Sequence, residues 1–380
     1  MFTSLNRDSN AVGIFSIFAA FLSSRLLCSV FVYLGHSHRK YLSPVKGGWE
    51  GVPNWWLNPW TTYDSEWYLR IAQHGYDFKS TAFFPLYPWL LRIFPNDPVV
   101  MALGSLAISH FAFLAALILV FRLTELEWNS KAAHITVWLL AFSPAAPFWG
   151  AVYTESLFLM LLAATFLAVR TGKWWRAGLI GGLAAACRNP GVLIAAALFL
   201  EGASDRKSQA APGKRFAWVI PLVVFLAVQI TFWLEFSDPL TGAKAHIYRK
   251  LDWPWMPIIS DLTSIFTEQH SLVFILVATA GVSFTVFGLF SPVFAFNRLR
   301  LSYLALIFGI SLMNLTFAYQ ISPQTISATR YMAPLFPVCQ FISISVFKEV
   351  NSKTPLLFTG VWLFLFVIFS YLFGLKSYLG

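Results

Sequence analysis

The sequence predicts an all-α, polytopic membrane protein with a long extramembrane loop after its first helix. Three observations carry this. Of 380 residues, 57% are hydrophobic and 12% charged, where a soluble domain carries about 25% charge; mean hydropathy is +0.64. Apolar runs recur along the whole chain at the length of about 20 residues that a bilayer crossing needs. Basic residues gather in the short loops between alternate runs. The net charge of +10 therefore fits the loop bias of membrane proteins, and no Lys/Arg block suggests a nucleic-acid partner. Cys28, Cys187 and Cys339 lie far apart in apolar runs, which argues against a disulfide framework or a metal site.

Residues 1–10 are polar, and Ala11 to about Leu34 forms the first apolar span, interrupted by Arg25. A cleaved signal peptide is the alternative, but the run continues past Arg25 with no small-residue cleavage site directly after it. Residues 35–98 form the long loop, irregular at first through Pro44, Gly47, Gly48 and Pro53. Residues 64–74 read as a short helix with Trp67, Tyr68 and Ile71 on one side, ended by Gly75. Further spans are expected near 99–121, 132–149, 152–169, 176–200, 215–236, 271–296, 301–320, 330–347 and 354–375. The linker 202–214 is polar, residues 237–270 form a second sizeable loop, and no repeat of fixed period is present, so 1–380 reads as one membrane domain.

Orientation turns on segment 176–200, which contains Cys187-Arg188-Asn189-Pro190-Gly191. Such a break survives at membrane depth only where it lines protein or a water-filled cavity. Two short helices meeting there return the chain to the same side. With the N-terminus inside, Arg7 and the loops 122–131, 170–176, 202–215, 297–300 and 348–353 then hold 14 of the 27 basic residues on one face. One straight span instead would invert every later segment. With the break, the other face collects the long loop, the 145–155 turn, Arg188, the 237–270 loop and the 321–330 turn. Eleven of the 17 acids lie there, from Glu50 and Asp64 to Asp261 and Glu268. Chemistry is expected on that acidic, aromatic face.

Asp64 is the expected general base, since a carboxylate between Tyr63 and Trp67 at a membrane surface is partly desolvated. The plainer reading is an N-cap of the following helix, and the two are compatible. Glu66, two residues on, points to another helix face and reads as solvated. Ala82-Phe83-Phe84-Pro85-Leu86-Tyr87-Pro88 is either a rigid ledge against the loop or the irregular entry to a helix at 88–94. Glu155, in Tyr153-Thr154-Glu155-Ser156, suits a helix dipole, but an acid at the margin of a span is costly and often functional. Arg188 and Arg330 either snorkel to headgroups or clamp a lipid phosphate. Asp238-Pro239 has the form of an N-cap with Pro at the first helical position. His74 and His246 are isolated, so no protein-held metal is expected.

Tyr63-Asp64-x-x-Trp67-Tyr68, Ile71-Ala72, Gly75-Tyr76 and then Ala82 to Pro88 resemble the first outer loop of the PIG-V-like mannosyltransferases. That family performs the second mannose addition in GPI-anchor assembly and has prokaryotic relatives. Ser143-Pro144 through Tyr153-Thr154-Glu155-Ser156, Arg188-Asn189-x-Gly191, Asp238-Pro239-Leu240 and Arg330-Tyr331 with Pro334 to Pro337 follow in the family's order. The resemblance spans roughly residues 60–340. Tyr63 stands where the family usually has Trp, and Asn189-Pro190 where it has Ser-Asn.

The resemblance implies a GT-C-type bundle of about nine to eleven transmembrane helices whose first outer loop carries membrane-lying helices. It implies inverting mannosyl or hexosyl transfer from a polyprenyl- or dolichyl-phosphate sugar to a glycan or glycolipid acceptor, with no cofactor and membrane lipid as the surrounding partner. Asp64 would be catalytic. Tyr63, Glu66, Trp67, Tyr68, Tyr76, Phe84, Tyr87, Tyr153, Glu155, Arg188, Asn189, Asp238, Arg330 and Tyr331 would bind substrate. The alternative from another class is a transporter or flippase, for which inverted repeats and mid-span ionisable groups would speak. The C-terminal Lys376 to Gly380 carries no retention signal, which favours a bacterial plasma membrane over the endoplasmic reticulum.

Overall fold

The computed structural model describes residues 7–39, 52, 54–204, 213–214, 216–245, 249–267, 269–320, 323–348 and 353–375. Glu50, His246 and Glu268 lie outside these residues. The described chain is helical apart from one two-stranded antiparallel ribbon, as the composition predicts.

Helix α1 (Arg7–His38) is 32 residues long. The long loop carries α2 (Asp64–His74) and α3 (Leu86–Leu91). Helix α4 (Pro98–Glu127) follows, with the Asp97 carboxylate accepting from the Val99 and Val100 N–H groups at 3.0 and 2.9 Å and Pro98 in the first turn. Next come α5 (Ser130–Ala141), α6 (Ala146–Gly150), α7 (Glu155–Arg170), α8 (Trp174–Cys187), α9 (Leu193–Ser204) and α10 (Val219–Phe236). The second loop holds α11 (Thr241–Lys244), β1 (Arg249–Leu251) and α12 (Met256–Thr267). The chain ends with α13 (Leu272–Ala295), α14 (Leu301–Thr316), β2 (Phe317–Tyr319), α15 (Ala328–Met332), α16 (Phe336–Ser345) and α17 (Thr354–Gly374).

Among the described residues, five helices, at 12–38, 98–127, 219–236, 272–295 and 354–374, are long and apolar enough to cross a membrane. Shorter apolar helices lie at Asn189–Ser204, Leu301–Thr316 and Phe336–Ser345. The 132–149 segment is not one span: α5 ends at Ala141 and α6 begins at Ala146. Arg25 accounts for that break. Its guanidinium donates to the Ala146 and Ala141 carbonyls at 2.7 and 3.4 Å and lies 4.9 Å from the Phe113 ring centroid, so carbonyls freed at a helix end find a donor inside the apolar core. The 330–347 segment is likewise split into α15 and α16, and 301–320 ends in β2.

The break at 188–192 is present, as a 3-10 turn from Asn189 to Val192 between α8 and α9. It returns the chain to the side it came from. The Arg170 side chain at the end of α7 pairs with Glu201 near the end of α9 at 2.9 Å, while Arg188, between α8 and α9, pairs with Glu155 at the start of α7. Gly191 permits the tight return: a Cβ there would lie 2.3 Å from the Ala184 carbonyl oxygen.

One end of the bundle is tied by a charge network. Arg170 bonds Glu127 at 2.5 Å, Tyr303 donates to Glu127 at 2.8 Å, Ser302 donates to Glu201 at 2.5 Å, and Gln340 reaches Glu127 at 3.2 Å. Three short basic loops therefore meet at this end, around Glu127, Arg170 and the Arg298–Arg300 turn, where Arg298 Nη1 bonds Ser345 at 2.8 Å. At the other end the aromatic first loop packs on α10, with Tyr76 on Phe232, Phe78 on Phe236 and Phe84 on Phe225.

Candidate active site

At the aromatic end, four separated segments bring charged groups to one place. Arg330, on α15, donates through Nε to Glu155 Oε1 at the start of α7 and through Nη1 to Asp64 Oδ2 at the start of α2. Arg188 places Nη1 2.7 Å from the same Glu155 oxygen. Glu155 is fully buried and the two arginine side chains are 6–7% exposed, whereas Asp64 keeps 26% of its side chain open. Buried charges persist only when paired, and here two acids oppose two guanidinium ions. Glu155 Oε2 is buried without a hydrogen-bond partner, so the site holds one unmet acceptor.

Local structure fixes Asp64. It is the first residue of α2, not its cap. The capping position belongs to Tyr63, at φ 60°, and no side chain caps the helix. The N-cap expectation for Asp64 is thus corrected: its carboxylate reaches across to Arg330 instead. A non-glycine residue at positive φ costs about 1–3 kcal/mol and persists where the surroundings impose it. Here Trp60, a few residues earlier, anchors the loop: its carbonyl accepts from the Val152 N–H at 3.1 Å and from the Ser65 hydroxyl at 3.3 Å. The helix ends at Gly75, φ 84°, as its sequence suggests.

Aromatic rings enclose the charges. The Arg330 guanidinium lies 4.6 Å from the Tyr153 ring centroid and 5.7 Å from that of Phe148. Arg188 lies 5.4 Å from the Tyr331 ring and 5.8 Å from Phe158. Tyr68 is buried behind α2 and shares a 3.3 Å hydrogen bond with Thr154. Burial pushes its phenol far above the ordinary range.

The other expected residues divide. Trp67 stacks on Phe83 at 5.6 Å at the half-buried face of α2, and Glu66 stands beside it, half-buried. Phe84 and Tyr76 fasten the loop to α10, Tyr76 also donating to the Phe83 carbonyl at 2.9 Å. Tyr87 is buried against α4, bonded to Ser109 at 3.1 Å. The 82–88 stretch is the entry to a helix, α3, which begins at Leu86 rather than 88. Asn189 is half-buried in the 3-10 turn. Asp238 is not a helix cap: it accepts from the Leu240 N–H at 2.9 Å and pairs with Lys244 at 2.6 Å on an exposed turn, and α11 starts only at Thr241.

Two residues escaped the sequence reading. Arg249 on β1 lies 5.1 Å from the Tyr331 ring and 4.3 Å from Tyr319. Asp261 on α12 is fully buried and accepts from the Gln324 N–H, the Thr325 N–H and the Thr325 hydroxyl at 2.6, 2.8 and 2.6 Å. It thereby anchors the segment that leads into α15. A cation in an outer loop runs against the charge bias used for topology, and that was the available signal for Arg249. Asp261 has no local signature, because its partners lie more than 60 residues away.

The sequence profile of the family described as Mannosyltransferase (PIG-V) matches residues 50–201, a stretch that contains Asp64, Glu155 and Arg188. The rat protein named GPI alpha-1,6-mannosyltransferase 2 is 31% identical over 143 residues, covering 34% of this chain and 29% of that protein. GPI mannosyltransferase 2 of Drosophila melanogaster is 29% identical over 108 residues, covering 25% of this chain and 24% of that protein. The chain thus matches less than a third of the length of these curated relatives. Among solved structures, the Archaeoglobus fulgidus oligosaccharyltransferase tethered with an acceptor peptide is similar over 95% of this chain and 55% of its own, at 14% identity and TM-score 0.45. The same archaeal enzyme in complex with an inhibitory peptide and a dolichol-phosphate covers 94% and 55%, at 12% identity and TM-score 0.48.

Proposed function

The chain is PIG-V-like across residues 50–201, and from that premise we propose that it is a membrane-embedded GT-C-type glycosyltransferase. The donor is a polyprenyl- or dolichyl-phosphate mannose and the acceptor a hydroxyl of a glycan or glycolipid. The observation that carries this reading is the meeting of Asp64, Glu155, Arg188 and Arg330 at the end of the bundle where the aromatic loop lies. The relatives' names, which concern mannose transfer, supply the sugar.

The residues suit an inverting displacement. Asp64 is the most exposed of the four side chains, so an acceptor hydroxyl can reach it. The hydroxyl oxygen bonds to the anomeric carbon while its proton passes to an Asp64 carboxylate oxygen. The bond from that carbon to the donor phosphate breaks on the opposite face, and the bonding pair leaves with the polyprenyl phosphate. Arg330 fixes the Asp64 carboxylate in position, and Glu155 fixes Arg330 and Arg188 in turn. Fixed dipoles and charges in a water-poor site need no reorganisation as charge moves onto the phosphate. The reading invokes no protein-held metal. The membrane location suits a donor sugar tethered to lipid, with the bacterial plasma membrane as the proposed compartment.

The test is transfer of radiolabelled mannose from polyprenyl-phosphate mannose to an alkyl glycoside acceptor by the purified full chain. General-base removal costs about 10²- to 10⁴-fold, so Asp64→Asn should lower kcat by that factor with the donor KM little changed. Unchanged kcat would remove Asp64 from the role. Absence of transfer by the wild type from any such donor would turn the reading toward transport.

A further inference from the structure

Arg188 and Arg330 are both held by carboxylates and almost closed to solvent. Two acids facing two guanidinium ions make a neutral set, and a neutral buried set offers little attraction to an incoming phosphate. We propose that Arg249 receives the phosphate of the lipid-phosphate donor, on a seat formed by the rings of Tyr319 and Tyr331. This rests on the glycosyl-transfer reading above.

The seat is built from three segments. β1 pairs antiparallel with β2, with Arg249 opposite Tyr319. The Arg249 guanidinium stacks 4.3 Å from the Tyr319 centroid, donates through Nη1 to the Phe317 carbonyl at 2.9 Å and through Nη2 to the Ser327 hydroxyl at 3.3 Å. Ser327 immediately precedes α15, so Arg249 is fastened to the helix that carries Arg330 and Tyr331. The Tyr331 ring has Arg188 at 5.4 Å and Arg249 at 5.1 Å. Arg249 is half-buried, so an incoming group can reach it, while Arg188 and Arg330 stay covered. A guanidinium fork matches phosphate oxygens better than a point charge does.

Position also fits the direction of the reaction. Contacts run in sequence from Asp64 through Arg330, Glu155, Arg188 and Tyr331 to Arg249. An inverting displacement needs its base and its leaving group on opposite faces of the sugar. Asp64 and Arg249 are separate members of this contact sequence, so the base and the phosphate seat are distinct groups.

The test uses the purified full chain in detergent, with polyprenyl-phosphate mannose as donor and polyprenyl phosphate or uncharged polyprenol as inhibitor. Losing a charge-assisted hydrogen bond to phosphate lowers affinity by about 10- to 100-fold. Arg249→Gln should raise the donor KM and the polyprenyl phosphate inhibition constant by that factor, leaving inhibition by polyprenol and the acceptor KM unchanged. Arg249→Lys, which keeps the charge without the fork, should fall between wild type and Arg249→Gln. It also stands in if the glutamine variant does not fold. Equal polyprenyl phosphate binding by wild type and both variants would overturn the proposal, as would an equal loss of acceptor affinity. If the wild type transfers no sugar, the glycosyl-transfer reading fails. Direct binding of polyprenyl phosphate, weakened in Arg249→Gln, would then still uphold the phosphate seat.

Discussion

Glu155→Gln is the sharpest test of the packing around the site. One oxygen of this carboxylate serves two guanidinium groups, Arg188 at 2.7 Å and Arg330 through its Nε. All three side chains are nearly closed to solvent, at 0, 7 and 6% exposure. A glutamine keeps the shape but removes the charge. Asp64 still faces Arg330, so the uncompensated ion is chiefly Arg188. Breaking a buried pair by removing one partner costs about 3–5 kcal/mol. In a chain this long each kcal/mol moves Tm by about 2 °C, so the purified variant should melt roughly 5–10 °C below wild type by tryptophan fluorescence. Removing the stranded cation as well, in Glu155→Gln/Arg188→Gln, should recover part of the loss, giving a coupling of at least about 1 kcal/mol. A single variant as stable as wild type, or a double variant that simply sums two losses, would refute the claim that Glu155 holds these arginines.

Other expectations are brief. Gly374→Ala should destabilise by about 1–3 kcal/mol, because the new Cβ would stand 1.9 Å from the Val32 carbonyl oxygen where α17 crosses α1; Gly360→Ala, with nothing within 4 Å, is the matched control and should melt no lower than wild type. Gly191→Ala should cost activity through Arg188, since its Cβ would meet Ala184 backbone at 2.3 Å; normal turnover in a normally folded variant would contradict this. Burial holds the Asp261 carboxyl above its ordinary range, against hydrogen bonds from Thr325 and Gln324 that pull it down. Its favourable contribution is therefore full below about pH 4 and declines as pH rises through the raised value. Asparagine mimics the neutral acid, so unfolding midpoints of wild type and Asp261→Asn should lie closest at low pH, with wild type falling relative to the variant as pH rises through that window.

The two ends of the bundle were legible because charge and turn chemistry are local properties. Arg188-Asn189-Pro190-Gly191 announced its own break, since Pro190 lacks a donor and Gly191 tolerates close backbone. The splits after Ala141 and Met332 had comparable signals in Ser143-Pro144, Pro147, Pro334 and Pro337, but continuous hydropathy outweighed them. What could not be read was who meets whom. Asp64 looks like a cap in sequence, and only the positive φ of Tyr63 removes it from that position. Its true partner, Arg330, lies 266 residues away. Arg249 and Asp261 act through the same kind of distant pairing, in a loop where only the charge of Arg249 runs against the bias of its face.

Helix α7 links these observations to the depth of the chemistry. It carries Glu155 in its first turn and Arg170 at its last residue, and both are held by ion pairs to other elements. At 1.5 Å per residue, its 16 residues span about 24 Å. The hydrocarbon core of a bilayer is about 30 Å thick. Were the Arg170 end placed at one boundary, Glu155 would stop some 6 Å short of the other. A soluble sugar nucleotide would have to leave water to reach that depth. On the proposed reading a phosphate carried on a polyprenyl chain would travel at that depth, and the half-buried Arg249 shares the Tyr331 ring with the covered Arg188. On the glycosyl-transfer reading proposed above, one short, doubly anchored helix would favour a lipid-borne donor by depth alone, before any group recognises the sugar.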